Sequence, residues 1–499
     1  MSPPSIADDL SRWATSEPDR VALIVGERAV SFGELDGLTD RLAAGLREQG
    51  VQRGDRVGIM LPNGVDAVVA IEGTLRAGAA IMPINPTAKH ERVTDLMQRS
   101  EAAALLCDDE RAGEVAEAMS EIDDVPWFSD LDQVSSDVSV PTETPDEADL
   151  AALMHTSGST GGPKGVMHCH GGLSFVTDSI IEYLEISPDD RVLNLLPLSF
   201  GYGLTHLLFC LRSGATLVLE PGVGLPGKIV KLLEEQEITG LPGVPTVFQV
   251  LLTLRGLAER PLPHLRFLTN AGAALPTPAI EEVRRTFPNA TLYSMYGQTE
   301  CIRTCYLPPD QLDTRPDSVG VPIPGSDTWI EDDEGNEVGP GVVGELIVRG
   351  PHVMQGYWRN PGATAQRVRE GRHPGERVLA SNDLFRTDEE GYLYFIGRRD
   401  DIIKSRGEKV PPREVEEVLH LDPAVHEAAV VGVPDRLLGE AVHAHVSARE
   451  GQELEPAALK RLCAEHLEDY MVPQQIVIHD ELPRNQNNKV DRLGLAAGG

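Results

Sequence analysis

The sequence predicts an α/β protein: a large N-terminal part built from parallel sheets, helices and a β-rich portion, followed by a small α+β domain. Three observations support this prediction. Helix-like and strand-like segments alternate over residues 1–150 and again from residue 190. Short β segments and turns replace that alternation between residues 315 and 350. Residues 400–499 contain helices and a strand of their own, enough for a small independent domain.

The individual elements follow from the spacing of apolar residues. Leu38, Leu42 and Leu46 form the apolar stripe of a helix that begins at Phe32. Buried strands separated by helices favour parallel pairing with right-handed crossovers. The further strands are predicted at 56–61, 79–84, 192–196, 215–219, 265–268, 329–330, 344–348, 391–397 and 428–433, and the further helices at 65–75, 412–420 and 456–467.

The composition is strongly acidic, with a net charge of −34 over 499 residues. Such a surface repels nucleic acid and anionic lipid, so neither is expected as a partner. Adaptation to high salt and a GC-rich coding bias both account for the charge, and the sequence leaves the two open. There is no apolar run of membrane-spanning length, and the N-terminus is acidic where a signal peptide is basic, which predicts a cytoplasmic protein.

The cysteines and histidines give no metal-binding pattern. The six cysteines include no Cys-x-x-Cys pair. Cys301 and Cys305 are four positions apart, and His168-Cys169-His170 forms a cluster, but neither group has partners at zinc-site spacing. We therefore expect neither a disulfide nor a metal site from these residues.

One segment is unusually rich in hydroxyls and glycine. Its residues are Thr156, Ser157, Gly158, Ser159, Thr160, Gly161, Gly162, Pro163, Lys164 and Gly165. Glycines let backbone N–H groups approach an anion, while hydroxyls and an ammonium add donors, which together predict a polyphosphate-binding loop. It is not a Walker A loop, because Pro163 stands where that motif has the glycine before its lysine. A flexible surface loop is the alternative.

Further motifs follow this loop along the chain. They are Gly272-Ala273-Ala274 with Tyr296-Gly297-Gln298-Thr299-Glu300, Ser381-Asn382-Asp383 with Arg398, the segment 403–416 around Gly407, and the segment 483–492 around Lys489. Each is a weak signal alone. Their common order closely resembles the adenylate-forming superfamily, which includes acyl-CoA synthetases, luciferases and the adenylation domains of peptide synthetases. The resemblance covers essentially the whole chain.

The resemblance implies roles in binding ATP and Mg²⁺. Adenine is expected against Tyr296, Gly297 and the backbone of Gly272, Ala273 and Ala274. Thr299 is expected at the α-phosphate and Glu300 at Mg²⁺, which prefers hard oxygen ligands. Asp383 is expected to hold the ribose hydroxyls, and Arg398 to contact ribose and phosphate. Asn382 and Asn488 replace glycines of the family.

The same resemblance implies a mobile C-terminal domain. It divides the chain into residues 1–399 and 400–499, with a hinge at Asp400. Lys489 is expected to stabilise charge on the acyl carboxylate and α-phosphate during the first half-reaction. The Gly407 loop is expected to line the tunnel for coenzyme A during the second half-reaction.

The resemblance also locates a pocket for the acid. Its expected lining is Phe200, Tyr202, Gly203, Leu204, Val247, Phe248 and Ile302. Relatives that activate amino acids have Asp after the Phe, whereas this chain has Gly201, so a substrate ammonium would lack its counter-charge. The pocket is therefore predicted to take an uncharged aryl or aliphatic acid.

Together these inferences predict an AMP-forming acid–thiol ligase of the acyl-CoA synthetase type. A carrier-protein thiol or an amine stays open as the acceptor in place of coenzyme A, as does assembly as a homodimer. A non-catalytic nucleotide or acyl sensor is disfavoured because Lys489, Glu300 and Asp383 occur together. A P-loop NTPase built on Gly222–Ile229 is disfavoured because Ile229 replaces the Ser/Thr that would hold Mg²⁺.

Overall fold

A computed structural model describes residues 5–137, 145–156, 163–371, 373, 376–484 and 490–497. By their internal contacts these residues divide into two units. Unit 1 extends to Thr328 and includes Val348–Ala380, and unit 2 comprises Trp329–Ile347 and the residues from Ser381 onward. A functional boundary between residues 399 and 400 stays a prediction. No helix within the described ranges has the length and apolar character needed to cross a membrane.

The nine strands predicted from apolar runs are all present, with differences of a few residues at their ends, and the other strands were not predicted. In chain order they are β1 (Val21–Val25), β2 (Arg28–Ser31), β3 (Arg56–Met60), β4 (Ala80–Pro83), β5 (Ala104–Cys107), β6 (Trp127–Phe128), β7 (Leu150–Thr156), β8 (Lys164–Cys169), β9 (Arg191–Asn194), β10 (Thr216–Leu219), β11 (Gly240–Gly243), β12 (Phe267–Asn270), β13 (Thr291–Tyr296), β14 (Cys305–Tyr306), β15 (Val321–Pro322), β16 (Asp327–Glu331), β17 (Gly344–Arg349), β18 (Gly356–Tyr357), β19 (Val368–Glu370), β20 (Arg377–Thr387), β21 (Leu393–Arg398), β22 (Ile403–Ser405), β23 (Glu408–Val410), β24 (Val425–Asp435), β25 (Gly439–Ala448) and β26 (Gln475–His479).

The four predicted helices, from Phe32, at 65–75, at 412–420 and at 456–467, are present, and the other helices were not predicted. They are α1 (Asp9–Ser16), α2 (Phe32–Glu48), α3 (Val65–Arg76), α4 (His90–Ser100), α5 (Ala112–Met119), α6 (His170–Leu184), α7 (Gly201–Ser213), α8 (Pro226–Glu235), α9 (Pro245–Leu252), α10 (Thr277–Thr286), α11 (Pro361–Arg367), α12 (Pro412–Leu419), α13 (Pro456–His466) and α14 (Arg492–Ala497). Helix α2 begins where Ser31 Oγ accepts a hydrogen bond from the Glu34 N–H, an N-cap that satisfies one of the free donors of the first turn.

The first sheet of unit 1 has the order β15-β14-β13-β12-β11-β9-β10-β1-β2 among the described residues. Strands β1, β10, β9, β11, β12 and β13 pair in parallel, as the alternation of helices and strands predicted. Neighbouring parallel strands end at the same edge of a sheet, where α/β proteins bind ligands. The connections after β9, β11, β12 and β13 therefore begin along one edge.

Strand β11 was not predicted from the sequence. Its residues are Gly-Leu-Pro-Gly, and Gly and Pro are depleted in strands. The structure explains the glycine at its start, because a Cβ on Gly240 would lie 2.0 Å from the ring of Phe267 in the neighbouring β12. The bulk missing from β11 is thus supplied by a side chain from the adjacent strand.

The second sheet of unit 1 has the order β18-β8-β7-β4-β3-β5-β6 within the described part of the chain. Strands β3, β4, β5 and β7 pair in parallel, and β7 turns back antiparallel into β8. Thr156 is paired with Lys164 at the end of this hairpin. The ends of the predicted phosphate loop are therefore held in register by a sheet.

Unit 2 contains the predicted α+β C-terminal region. Strand β20 pairs antiparallel with β21, which places Asp383 opposite Arg398. A separate sheet of order β23-β22-β25-β24, with β26 paired to β25, is covered by α12 and α13. Val415, Val442 and Leu459 are fully buried between these elements, forming a core of their own.

Candidate active site

Four of the predicted site segments begin at carboxyl ends of neighbouring parallel strands. Phe200 follows β9, Val247 follows β11, Gly272 follows β12, and Tyr296 is the last residue of β13. Because these strands end at one edge of the sheet, residues far apart in the sequence come to the same side of it. The topology thus brings together the predicted adenine and acyl segments.

The predicted adenine segment presents its backbone to solvent. Gly272, Ala273 and Ala274 are exposed. Gly272 has φ +84°, in the left-handed region that glycine adopts without steric cost. The Asn270 side-chain amide donates to the Ala273 carbonyl at 2.9 Å, which holds the turn after β12. The segment is therefore a fixed turn with accessible backbone groups.

The turn from Tyr296 to Glu300 is equally constrained. A Cβ on Gly297 would lie 2.4 Å from the Ile302 carbonyl oxygen, so the turn requires glycine there. The Ile302 N–H donates to the Gln298 carbonyl at 2.7 Å. Ile302 itself has φ +62°, a strained conformation for a β-branched residue that costs of order 1–3 kcal/mol. Such a conformation persists only where the surrounding structure fixes the backbone, which indicates that the connection carrying Thr299 and Glu300 is rigid.

The Glu300 carboxylate is buried in unit 1, where a hydroxyl donor and a guanidinium lie beside it. The Tyr357 hydroxyl donates to Glu300 Oε1 at 2.6 Å. The Arg367 guanidinium lies 3.9 Å from the same oxygen and donates to the Gln298 side chain at 2.8 Å. The Lys164 ammonium lies 5.4 Å from the centroid of the Tyr357 ring. The end of the phosphate-loop hairpin and the predicted Mg²⁺ ligand therefore share Tyr357.

Sequence analysis missed Tyr357 and Arg367. No local motif marks either residue. Tyr357 reaches the site because β18 pairs with β8, the strand that begins at Lys164, in a register that places Tyr357 opposite Val166. That pairing joins segments nearly two hundred positions apart in the sequence, so only the folded sheet reveals it.

His168 fixes the backbone beside Glu300. Its Nε2 lies 2.8 Å from the Thr299 carbonyl oxygen. Burial lowers the pKa of His168 to about 4, so the neutral ring donates from Nε2 to this oxygen. The Met354 N–H donates to the next carbonyl, that of Glu300, at 2.9 Å. His170 Nδ1 instead lies 2.8 Å from Ser5 Oγ. Within the described ranges there is no group of three or more His, Cys, Asp or Glu side chains that could hold a metal ion.

Several predicted residues lie outside the part of the chain that the structure describes. They are Ser157, Gly158, Ser159, Thr160 and Lys489. Their assigned roles stay predictions. Thr156 and Lys164, which border the phosphate loop, are described and face each other across the β7–β8 hairpin.

The predicted acyl segment from Phe200 to Leu204 forms the start of α7. The Tyr202 hydroxyl lies 2.6 Å from Thr269 Oγ1 on β12. Gly203 is required there, because a Cβ would lie 2.2 Å from the Pro197 carbonyl oxygen. Phe200 and Ile302 are half-buried, whereas Leu204, Val247 and Phe248 are fully buried. The residue that sequence analysis missed here is Arg303, whose guanidinium carbon lies 5.0 Å from the centroid of the Tyr202 ring.

The Walker-like segment Gly222–Ile229 is structural. Helix α8 begins at Pro226, so the lysine of the motif lies inside its first turn rather than in a connector. Lys228 forms an ion pair with the buried Glu220, with its ammonium 2.5 Å from the carboxylate. That the segment does not bind phosphate stays a prediction.

Unit 2 carries the predicted ribose residues on adjacent strands. Asp383 is buried, and the Arg398 Nε lies 3.4 Å from its Oδ1. Asn382 has φ +60°, the left-handed conformation that the family glycine would permit and that Asn tolerates. Its side-chain amide donates to Asp400 Oδ2 at 2.8 Å. The replacement of glycine thus adds a contact to the predicted hinge residue.

Gly407 lies in a two-residue hairpin of unit 2. Arg406 and Gly407 have φ +56° and +86° between the paired residues Ser405 and Glu408. Two successive positive φ values are typical of a tight type I′ turn. A Cβ added at Gly407 would meet no atom within 4 Å, so the glycine is explained by its backbone conformation and not by crowding.

The parallel-strand edge, the glycine-rich hairpin and the buried carboxylate define the class of protein: an α/β enzyme with a nucleotide site. Sequence comparison then gives the family. The family model described as "AMP-binding enzyme" matches residues 10–358, and the one described as "AMP-binding enzyme C-terminal domain" matches residues 414–489. The chain therefore belongs to the AMP-binding enzymes, the adenylate-forming superfamily.

Several curated relatives are similar over nearly the whole of this chain. Indoleacetate–CoA ligase of Aromatoleum aromaticum is 31% identical over 97% of this chain and 96% of its own length. L-proline–[L-prolyl-carrier protein] ligase of Pseudomonas fluorescens is 30% identical over 96% of each chain. A linear gramicidin synthase of Brevibacillus parabrevis is 32% identical over 96% of this chain, which spans only 6% of that much longer protein.

Solved structures agree with the fold. ATP-bound MatB from Rhodopseudomonas palustris matches with a TM-score of 0.91 at 28% identity, covering 99% of this chain and 98% of that one. The o-succinylbenzoate coenzyme A synthetase MenE from Bacillus subtilis, with ATP and magnesium ion, matches with a TM-score of 0.88 at 30% identity, covering 98% and 99%. The predicted superfamily and fold class are thereby confirmed.

Proposed function

We propose that this chain activates a carboxylic acid with MgATP, releasing pyrophosphate, and passes the acyl group to the thiol of coenzyme A. The observation that carries the proposal is the arrangement of Lys164, Tyr357 and Glu300. It joins the border of the predicted phosphate loop to a buried carboxylate through one tyrosine. The proposed cation for phosphate and the proposed oxygen ligand for a metal are thus linked through Tyr357.

The residues present fit a magnesium ion beside a nucleotide. Glu300 is a hard oxygen ligand of the kind that Mg²⁺ prefers, and its orientation is fixed by the bond from Tyr357. Bound there, Mg²⁺ would neutralise negative charge on the phosphates. Glu300 itself is only 8% exposed, which limits competition from water.

In the first half-reaction an oxygen of the acid attacks the α-phosphorus of ATP. An O–P bond forms, the bond to pyrophosphate breaks, and acyl-AMP results. Lys164, Thr299 and the predicted Lys489 would stabilise the charge that develops on the phosphates. The contribution of such residues is positioning and preorganised electrostatics.

In the second half-reaction the thiol sulfur attacks the acyl carbon, and AMP leaves as the acyl–oxygen bond breaks. We assign Asp383 and Arg398 to the ribose, Asp400 to a hinge and Gly407 to the coenzyme A tunnel. The support for these roles is their place in the family's motifs and, for Asp383 and Arg398, their pairing across two strands. A cytoplasmic location and assembly as a homodimer stay predictions.

The test is pyrophosphate release from MgATP over a panel of acids, with and without coenzyme A. We expect sustained turnover only with coenzyme A. Lys489→Ala should lower adenylation by roughly a hundredfold or more, because one donor to transition-state charge is lost. Lys228→Ala is the matched control, since Lys228 is held by Glu220, and it should leave turnover unchanged. Loss of turnover in the control alone would instead revive the P-loop hypothesis.

The second candidate differs only in the acceptor. It is favoured by the similarity to L-proline–[L-prolyl-carrier protein] ligase and to a linear gramicidin synthase. A carrier-protein thiol or an amine would then receive the acyl group. Adenylation that stops after about one turnover in the presence of coenzyme A would favour this candidate, because acyl-AMP would stay bound without its acceptor.

A further inference from the structure

Arg303 places a buried cation beside the predicted acyl pocket. Only 3% of its surface is exposed. Its guanidinium lies over the ring of Tyr202, one of the predicted lining residues, and Ile302, another, precedes it in the chain. A positive charge therefore lies where the sequence predicted an apolar wall.

Among the described residues this guanidinium has no anionic partner. Within the described part of the chain it forms no ion pair and no side-chain hydrogen bond, and its Nε is buried without an acceptor. An arginine cannot be deprotonated in a protein, so it cannot lose its charge to avoid the cost of burial. The face of Tyr202 compensates only part of that cost. Buried charges are normally paired, so a partner from outside the chain is expected.

His206 adds a second unpaired polar atom at the same aromatic ring. Asn194 Oδ1 accepts the Leu196 N–H at 2.9 Å, which sets the orientation of this amide. His206 Nδ1, 3.1 Å from that oxygen, therefore donates to it, and Nε2 is left as a buried acceptor without a partner in the described chain. The His206 and Tyr202 rings pack edge to face, with their centroids 4.5 Å apart. The surroundings of Tyr202 are thus suited to a polar group of a ligand.

Arg303 and Glu300 belong to one short connection but serve different places. Glu300 contacts Tyr357 and Arg367, near the border of the phosphate loop. Arg303 contacts Tyr202 at the start of α7, on which the predicted acyl segment lies. The connection between β13 and β14 therefore directs its carboxylate to the nucleotide site and its guanidinium to the acyl side.

We propose that the acid substrate carries a second carboxylate, and that Arg303 binds it. The substrates would then be dicarboxylic acids or carboxy-substituted aryl acids, in place of the uncharged acids expected from the sequence. An α-amino acid is disfavoured further, because Arg303 would repel its ammonium while Gly201 supplies no counter-charge. The inference rests on the proposed function and names the substrate class of that same site.

The test compares matched pairs of acids in the pyrophosphate assay with MgATP and coenzyme A. Each pair is a dicarboxylic acid and its monomethyl ester, which have nearly the same size but differ by one charge. We expect kcat/KM to be roughly a hundredfold higher for the diacid, because the ester leaves Arg303 unpaired. A preference for the ester, or equal values, would overturn the proposal.

Two variants assign the preference to Arg303. Arg303→Met keeps a long side chain without the charge, and the ratio of diacid to ester kcat/KM should fall towards one. Arg303→Lys keeps the charge and should keep a preference for the diacid, with a higher KM. A ratio that stays high in Arg303→Met would show that another group binds the second carboxylate. If Arg303→Met does not fold, the lysine variant and the wild-type pairs decide.

The outcomes separate this inference from the function on which it rests. If no acid in the panel supports pyrophosphate release, the proposed function fails. If monocarboxylic acids are turned over with coenzyme A and the diacids are not preferred, only the inference about Arg303 fails.

Discussion

A buried arginine lies near each end of helix α7, and the two arginines differ in what surrounds them. At the C-terminal end, Arg212 is 6% exposed and forms ion pairs with Asp9 and Asp178. At the N-terminal end, Arg303 is 3% exposed over Tyr202 and has no ion-pair partner among the described residues. Burial is nearly equal, so the presence of protein partners is what distinguishes a structural charge from one available to a ligand.

The ion pair between Arg212 and Asp9 shows how much the burial of a charge costs. Burial raises the pKa of Asp9 to about 6, although Arg212 acts in the opposite direction. The pair therefore does not fully recover what its carboxylate loses on leaving water. A buried cation such as Arg303, with no carboxylate paired to it among the described residues, carries a larger uncompensated cost, which a ligand anion would relieve.

The largest effect that tests this comparison is expected on stability. Arg212→Met should lower the free energy of unfolding by about 3–5 kcal/mol, because Asp9 would be buried without its partner. Arg303→Met, the matched substitution near the other end of α7, should not lower it, since it removes a charge that has no ion-pair partner in the described part of the chain. Urea denaturation at neutral pH measures both. Equal losses in the two variants would mean that Arg303 is also a structural residue.

The sequence located individual elements such as helix α3, but it did not indicate which distant side chains form ion pairs. Helix α3 was expected at 65–75 and runs from Val65 to Arg76, because apolar periodicity is a local property. The partners of Arg212 are non-local: Asp9 lies 203 positions away in the chain. No local pattern therefore separates a paired arginine from an unpaired one.

In the candidate active site, too, local motifs indicated some residues, whereas others became apparent only from the fold. Motifs located Glu300, Tyr296 and Asp383, because their residue types follow a recognisable order. Tyr357 was missed because its role depends on a strand pairing, and Arg303 because its neighbours were judged only for apolar lining. A signal was present, since Arg303 follows Glu300 by three positions in a connection already singled out. A charged residue in such a connection merits the same scrutiny as the motif beside it.

The next largest effect is expected at Glu300, a buried carboxylate that accepts a hydrogen bond from the Tyr357 hydroxyl. Tyr357→Phe removes the hydroxyl that donates to Glu300 and should lower kcat/KM for adenylation by about 10- to 100-fold, corresponding to about 1.5–3 kcal/mol for a bond to a charged group. Higher magnesium concentration should restore part of the activity. Steady-state pyrophosphate release over a magnesium series is the measurement.

The control for this variant is another tyrosine that donates to a carboxylate. The Tyr394 hydroxyl donates to Asp388 at 3.2 Å in unit 2, and neither of these residues is assigned a role in the reaction. Tyr394→Phe should leave adenylation and its magnesium dependence unchanged. If Tyr357→Phe behaves like this control, the hydrogen bond to Glu300 does not orient the metal ligand.

Glu72 supplies the negative counterpart of Arg303. It is 2% exposed on α3, and neither of its carboxylate oxygens has a hydrogen-bond partner in the described chain. Burial raises its pKa to about 8, with Arg76 opposing and Asp9 and Asp36 adding to the rise. Unlike an arginine, a carboxyl group can therefore avoid burial of charge by keeping a proton. An unpaired buried carboxyl thus needs no ligand, whereas an unpaired buried guanidinium does.

The smallest expected effect follows from the sign of this shift. Between about pH 4.5 and pH 8 the folded protein keeps a proton on Glu72 that the unfolded chain releases. Stability contributed by this group is therefore complete below pH 4.5 and is lost as pH rises, by about 1 kcal/mol per pH unit. Glu72→Gln, which cannot ionise, should remove that slope. Unfolding free energies of both proteins at pH 5.5 and 6.5 measure it, because all other titrations are common to the two. Parallel pH dependences would mean that Glu72 is ionised in the folded protein, and the contrast with Arg303 would then be lost.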